Sequence, residues 1–325
     1  MLHRFERRVS NTISTRGLLK PGQQVILAVS GGADSVAMLR SLFAIQKGSG
    51  LTCVTVNHHI HDEAEKHTMF VEELCGTLKI PCFVEHVDVK GRMAQEGLSM
   101  EHSAREERYR VLQRISNGNL IATAHTQNDQ SETVLINLLR GTGPKGTCGI
   151  PSQRGNIIRP LIEQSREDVV DYLDDINQDY VTDPTNLEDD ALRNRIRHNL
   201  LPLLKEISGS NPIACLSRFS ESMEMNEAAL SFFVDRTYSE MVTQKGVSIS
   251  VKDLLCLPLG VRMGLFRKMA EAIYDLSCPS MGQLMEVNKL LESAQCKGFH
   301  ETTVCKFVKK HGMMHAEGRG KRGLE

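Results

Sequence analysis

At 325 residues, 40% hydrophobic and 24% charged, the chain has the make-up of an ordinary globular protein with room for two domains. Nine cysteines, an odd number with no C-x-x-C pair, argue against a disulfide framework and against a zinc or iron–sulfur site; most of them read as small buried side chains in a reducing compartment. The start, Met1 to Arg8, lacks the apolar core of a signal peptide, and no apolar stretch is long enough to span a bilayer, so a cytoplasmic protein with no membrane partner is expected. The formal charge of −1 hides two basic clusters: Arg4, Arg7, Arg8, Arg16 and Lys20 near the start, and Lys306, Lys309, Lys310, Arg319, Lys321 and Arg322 near the end. Local patches on a neutral chain suit a polyanion that touches two edges of the protein; equally they read as a solvated face and a frayed tail.

In chain order, the β-branched run Val25 to Val29 predicts a buried strand, the stretch from Ser30 a glycine turn, and the residues from Ser35 a helix. A second strand follows at Leu51 to Val56, a helix over 63–79, and a third strand from Pro81 through Val89. Helical periodicity resumes at 101–115, Leu120 to Ala124 makes a fourth strand, a helix runs from Asp129 to Leu139, and Asn156 to Leu161 is a short further strand. Repeated βα units imply an α/β fold: a doubly wound parallel sheet covered on both faces, with its ligand at the C-terminal ends of the strands. Between them Arg140 to Gly146 reads as a mobile glycine-rich loop, placed where a substrate lid could hang. After Pro202 the alternation stops. Ser208 to Pro212 reads as a linker, 213–241 as one long helix and 252–294 as two or three more, so the chain divides at 207/208 into a sheet domain (1–207) and a smaller, mostly helical C-terminal domain (208–325). Within the latter, Thr302 to Val308 alternates like a strand and is expected to pair near Val247 to Val251.

The turn Ser30-Gly31-Gly32-Ala33-Asp34-Ser35 carries the strongest chemistry. It aims backbone N–H groups and a helix N-terminus at one spot, its glycines let a ligand approach, and its two serines add hydroxyls, which suits a phosphate or pyrophosphate. No Gly-Lys-Ser/Thr follows, so it is not a Walker A loop. The plainer alternative is a glycine turn with no ligand. Three further groups stand out. Asp129 and Glu132, three residues apart at a helix start after His125, are placed to hold Mg²⁺ against phosphates or to bind an ammonium group; alternatively they cap the helix. Glu101 and Arg105, four apart, read on the residues alone as a surface ion pair, with a phosphate-gripping arginine as the functional alternative. Arg193 and Arg197 flank an apolar stripe of Leu192, Ile196 and Leu200, either to hold nucleotide phosphates or to pair with Glu188, Asp189 and Asp190.

The turn resembles the PP-loop, S-G-G-x-D-S, of enzymes that split ATP into AMP and pyrophosphate. With His125…Asp129-Gln130…Glu132-Thr133, Leu138-Leu139-Arg140-Gly141-Thr142-Gly143, Asp183-Pro184-Thr185-Asn186 and Arg193-Asn194…Ile196-Arg197 in that order, residues 20–205 closely resemble tRNA(Ile)-lysidine synthetases. The resemblance implies a ligase that uses ATP and Mg²⁺ to join free L-lysine to C2 of the wobble cytidine of an isoleucine tRNA with a CAU anticodon. It implies a site lined by Asp34, Arg105, Asp129, Glu132 and Arg197 with Arg193, a metal at Asp129, and Ser30 to Ser35 on the ATP phosphates. His125 is assigned to the substrate and the C-terminal domain to tRNA; a homodimer is left open. One departure concerns the metal: the family often has two adjacent aspartates where this chain has Asn128-Asp129. The rival readings are a PP-loop tRNA thiolase, which the missing C-x-x-C disfavours, a glutamine-dependent amidotransferase, for which the chain has no room, and a non-catalytic ATP- or tRNA-binding module.

Overall fold

Short β-branched runs and amphipathic helices alternate through the first half of the chain, and the computed structural model shows what they build. It describes residues 1–58, 64–96, 99–181, 191–242, 247–274 and 278–318. Six strands, β1 (Val25–Ala28), β2 (Leu51–Asn57), β3 (Cys82–His86), β4 (Leu120–Ala122), β5 (Gln153–Arg154) and β6 (Ile157–Ile158), form one sheet in the order β3-β2-β1-β4-β6-β5. All neighbours are parallel except the β5–β6 pair. The helices are α1 (Arg4–Thr15), α2 (Ala33–Gln46), α3 (Ala64–Leu78), α4 (Val89–Glu96), α5 (Met100–Ser116), α6 (Gln127–Leu139), the single turn α7 (Pro144–Thr147) and α8 (Arg166–Asp175).

Strand side chains alternate between two cores. Val25 and Leu27 of β1 face a core closed by α1, α2, α3 and α8, through residues such as Val9, Leu39, Val71 and Tyr172. Ile26 faces the opposite core with Val54, Ile121 and the α5 residues Val111 and Leu112. The expected α/β sheet with helices on both faces is therefore present. The order reverses between β1 and β4, so a crevice opens at their C-terminal ends, the position where such sheets bind ligands.

Helices α1, α4, α7 and α8 were not read from the sequence. α1 carries the N-terminal basic cluster, and Arg8 spends its charge inside the fold, donating two bonds to Asp168 of α8 (2.6 and 2.8 Å). Those bonds hold the Asp168 carboxyl down at about 2. Arg16 similarly donates to Glu163 at 2.5 Å. The stretch expected to be a mobile loop is pinned: Thr142 N donates to Asn137 O (3.1 Å) and Asn137 Nδ2 to Gly146 O (2.7 Å).

Beyond Ile176 come α9 (Ala191–Arg195), a π-helical turn (Ile196–Leu200), α10 (Leu201–Ser208) and α11 (Pro212–Met241). The chain divides into two compact units, residues 1–142 with 146–221, and 143–145 with 222–325. The second contains α12 (Val251–Leu255), α13 (Leu259–Glu271), α14 (Met281–Glu292) and a four-stranded antiparallel sheet of β7 (Ser248–Ser250), β8 (Gly298–Glu301), β9 (Cys305–Lys310) and β10 (Met313–Gly318), in the order β7-β10-β9-β8. The expected pairing of 302–308 with 247–251 is corrected here. β10 lies between them, because His311 and Gly312, both at positive φ (51° and 72°), turn β9 straight back in a two-residue hairpin. Lys309, expected on a basic surface, is only 7% exposed and donates to the carbonyls of Leu290, Leu291 and Ser293 at 3.3, 2.8 and 2.7 Å. It caps the C-terminus of α14, where a cation meets the negative end of the helix dipole. Lys310 pairs with Glu317 at 3.3 Å.

Candidate active site

The crevice between β1 and β4 is bounded first by the turn after β1. Val29 N continues the ladder to Val54 O (3.0 Å), and the chain then swings through Gly31, whose φ of +88° is glycine territory. Gly31 O accepts from Val181 N at 2.9 Å. Ser35 Oγ donates to Gly32 O (2.9 Å) and accepts from Ser30 N (3.2 Å), with Ser30 Oγ 3.3 Å away. Gly32, at the N-cap of α2, supplies no side-chain cap, so the first N–H groups of Ala33 and its successors remain available to a ligand. All six residues of the turn thus surround one helix N-terminus, a preformed anion cradle.

Asp34 sits in the first turn of α2 and is largely buried. Its Oδ2 accepts from Arg166 Nη2 at 3.2 Å, while its Oδ1 is buried with no hydrogen-bond partner. Burial, helped by the Asp129 charge, raises this carboxyl to about 6 against the opposing pull of Arg166 and Arg197. Asp129 starts α6 in a capping box, its Oδ2 accepting from Thr126 N (2.8 Å) and Thr126 Oγ1 (3.0 Å). Capping therefore uses one oxygen of Asp129.

Glu132 does not share that environment. It is 0% exposed, and Arg197 grips it with two bonds, Nε to Oε1 at 2.7 Å and Nη2 to Oε2 at 3.0 Å. Arg193 approaches Oε2 at 3.5 Å. The apolar stripe explains the register, since Ile196, with Leu192 and Leu200, packs on Ile136 of α6 and turns both arginines toward Glu132. Arg197 lies in the π-helical turn, a local distortion frequent at functional sites. The alternative partners Glu188, Asp189 and Asp190, and the Asp183 to Asn186 motif, lie outside the described residues.

His125 stands at the end of β4, with Nδ1 3.1 Å from Thr123 Oγ1. Burial lowers it to about 4; Arg159, Arg105 and Arg108 push the same way against Asp129. It is neutral at pH 7. Arg105, on α5, is exposed and lies 5.3 Å over the Tyr109 ring, near enough to act on His125. The side chain of Glu101, its expected surface partner, is outside the described set.

The structure thus brings Asp34, in the Ser30 to Ser35 turn, within electrostatic reach of Asp129 and Arg197, and His125 within reach of Asp129 and Arg105, while Glu132 is held by the arginines. Sequence reading missed Arg166 and the role of Asn128. Asn128 Oδ1 accepts from Arg166 N (2.9 Å), so the residue that departs from the two-aspartate pattern ties α8 to α6 and sets the backbone that carries Arg166 toward Asp34. Only the three-dimensional meeting of α2, α6 and α8 reveals it.

Comparison with known proteins shows the family to which the chain belongs. The family described as the PP-loop domain matches residues 1–204. Among curated relatives, the tRNA(Ile)-lysidine synthase of Bacteroides thetaiotaomicron is 37% identical over 253 residues, covering 75% of this chain and 58% of the relative. That of Clostridioides difficile is 34% identical over 270 residues (80% and 58%), and that of Bacillus cereus 31% identical over 303 residues (89% and 63%). The chain thus spans somewhat over half the length of these relatives. Among solved structures, the U34-tRNA thiolase NcsA from Methanococcus maripaludis, determined with its [4Fe-4S] cluster, superposes with a TM-score of 0.57 at 19% identity, over 68% of this chain and 78% of that one, a likeness of fold. A match spanning the whole sheet unit up to the arginine helix, on a chain whose β1 turn has the loop's full residue set, makes the chain a member of the PP-loop family of ATP-using proteins, with tRNA(Ile)-lysidine synthases among its relatives.

Proposed function

We propose that the chain joins free L-lysine to C2 of the wobble cytidine in an isoleucine tRNA with a CAU anticodon, splitting ATP into AMP and pyrophosphate. The observation that carries this reading is the Asp34 carboxylate, buried beside the phosphate cradle with one oxygen unpartnered and close enough to Asp129 to feel its charge, in a chain related to lysidine synthases. A hard divalent cation takes oxygen ligands and bridges to phosphate, so Asp34 Oδ1 with Asp129 fits Mg²⁺. When bound, the ion would offset negative charge on the ATP phosphates.

In the proposed reaction the cradle at Ser30 to Ser35 holds the β- and γ-phosphates while the C2 oxygen of the cytidine attacks the α-phosphorus. The bond to pyrophosphate breaks, and pyrophosphate stays on the helix N-terminus. The oxygen, a poor leaving group as a carbonyl, now departs as AMP when the ε-amine of lysine attacks C2. Arg197 and Arg193 present positive charge to the phosphate, and Glu132 acts as their positioning residue. Neutral His125 offers a ring at the strand mouth for the base or the amine. The wobble base has to leave the anticodon stack to arrive here. Lysine, tRNA and a cytoplasmic location belong to this proposal; among the described residues no helix is long and apolar enough to cross a membrane.

For the second unit we propose tRNA anchoring. Lys306 lies 4.0 Å over the ring of exposed Phe299, an aromatic and cationic surface suited to RNA. Arg319, Lys321 and Arg322 lie outside the described residues. The test is incubation with ATP, labelled lysine and tRNA bearing CAU. Label in the tRNA with one AMP per lysine supports the reading. ATP-independent labelling, or AMP formation without label, contradicts it.

A further inference from the structure

Three thiols far apart in the chain meet on the outer half of the first sheet. Cys53 lies within β2, Cys82 opens β3, and Cys75 is near the end of α3. Cys53 and Cys82 are register partners in the parallel β2–β3 pair, so their side chains leave the sheet on one face, the face α3 covers. The three sulfurs lie within 4.8 Å of one another. Cys53 and Cys75 are fully buried; Cys82, on the edge strand, is half-buried and opens the group toward solvent. Among the described residues no other three metal-ligating side chains converge so closely.

We propose that Cys53, Cys75 and Cys82 form a three-thiolate site for one thiophilic ion of the zinc class, with the fourth position filled from the solvent side of Cys82. Zinc–sulfur bonds of about 2.3 Å set tetrahedral sulfurs about 3.8 Å apart, so the observed spacing closes on an ion by side-chain movements of about 1 Å or less. Soft sulfur donors select zinc or copper(I) over magnesium, so this site does not compete for the ion proposed at Asp34. Binding breaks three S–H bonds, releases three protons to solvent and forms three sulfur–metal bonds, with no change of oxidation state. The ion staples the edge strand β3 and helix α3 to β2. The cysteine spacings of 22 and 7 residues match no zinc motif and argued against such a site; parallel pairing of β2 with β3 and the packing of α3 bring the three together.

The test uses the full chain with the exposed Cys256, Cys278 and Cys296 replaced by serine. Reduced, metal-free protein is titrated anaerobically with Co²⁺, whose thiolate charge-transfer absorption reports sulfur ligation, and then with Zn²⁺. The expected result is a band saturating at one equivalent, bleached by Zn²⁺, together with a higher melting temperature in Zn²⁺. Cys82→Ser, at the half-buried position that tolerates a hydroxyl, weakens the affinity at least about a hundredfold while circular dichroism stays unchanged. Cys75→Ala does the same. Absence of a stoichiometric band in folded protein, or a band that survives Cys82→Ser, overturns the proposal. So does a disulfide among the three that, once reduced, leaves thiols taking up neither Co²⁺ nor Zn²⁺.

Discussion

Asp34 is held in a state that costs stability. Its carboxyl titrates at about 6 in the fold against an ordinary 3.8, so ionisation opposes folding; the cost is absent below pH 4 and complete above pH 6. Asp34→Asn therefore stabilises the protein at pH 7.5 by roughly 1–3 kcal/mol in a denaturant titration, with the gain vanishing at pH 4, while ATP turnover is lost. Wild-type Mg²⁺–ATP binding weakens as pH falls through 6, since the metal needs the ionised form. A second contrast separates the two carboxylates of α6. Asp129→Asn keeps an oxygen for the Thr126 cap, so stability moves by less than about 1 kcal/mol while lysine transfer is abolished. Glu132→Gln leaves the Arg197 guanidinium short of its charge partner in a buried site, and lowers stability by up to about 3 kcal/mol as well as slowing transfer. Equal stability losses in the two variants would refute this division of labour.

At the level of elements, β1 to β4 and β6, the PP-loop turn and the helix after β4 were legible because buried β-branched runs and glycine turns are local signals. The helix that carries Arg193 and Arg197 was half legible: Leu192, Ile196 and Leu200 marked its apolar face, but the π-helical turn and the partner Glu132 emerged only from the packing on Ile136. The α6 carboxylates looked equivalent by spacing, and burial separated them. The end of the chain misled because charge was read without topology. Lysines at 306, 309 and 310 alternate on β9, so one points into the α14 C-terminus while its neighbours face outward. Lys309→Met accordingly lowers the melting temperature of the second unit and leaves tRNA affinity within about twofold in a gel shift. Lys306→Ala weakens tRNA binding and flattens its salt dependence, with little effect on melting.

For the whole molecule, the sheet unit extends past the break expected after residue 207. Ser131 Oγ donates to Ile213 O (3.1 Å) and Gln130 Nε2 to Ser220 Oγ (2.6 Å), so the start of α11 braces the helix that carries Asp129. Truncation after Glu221 is expected to preserve Mg²⁺–ATP binding and weaken tRNA binding severely; truncation after Leu204 strips those braces and lowers ATP binding too. Isothermal titration with ATP and gel shifts with tRNA distinguish the two.

The proposed function requires this crevice to deliver lysine to one atom of one base. It is tested most directly by digesting tRNA to nucleosides after reaction with ATP and isotopically labelled lysine, and identifying by mass spectrometry which nucleoside carries the label. The expected result is a single labelled product, a lysine–cytidine adduct lacking the C2 oxygen, absent when the wobble cytidine is replaced by uridine and absent with Asp129→Asn. Label on any other nucleoside, or a cytidine product that retains its C2 oxygen, would contradict it.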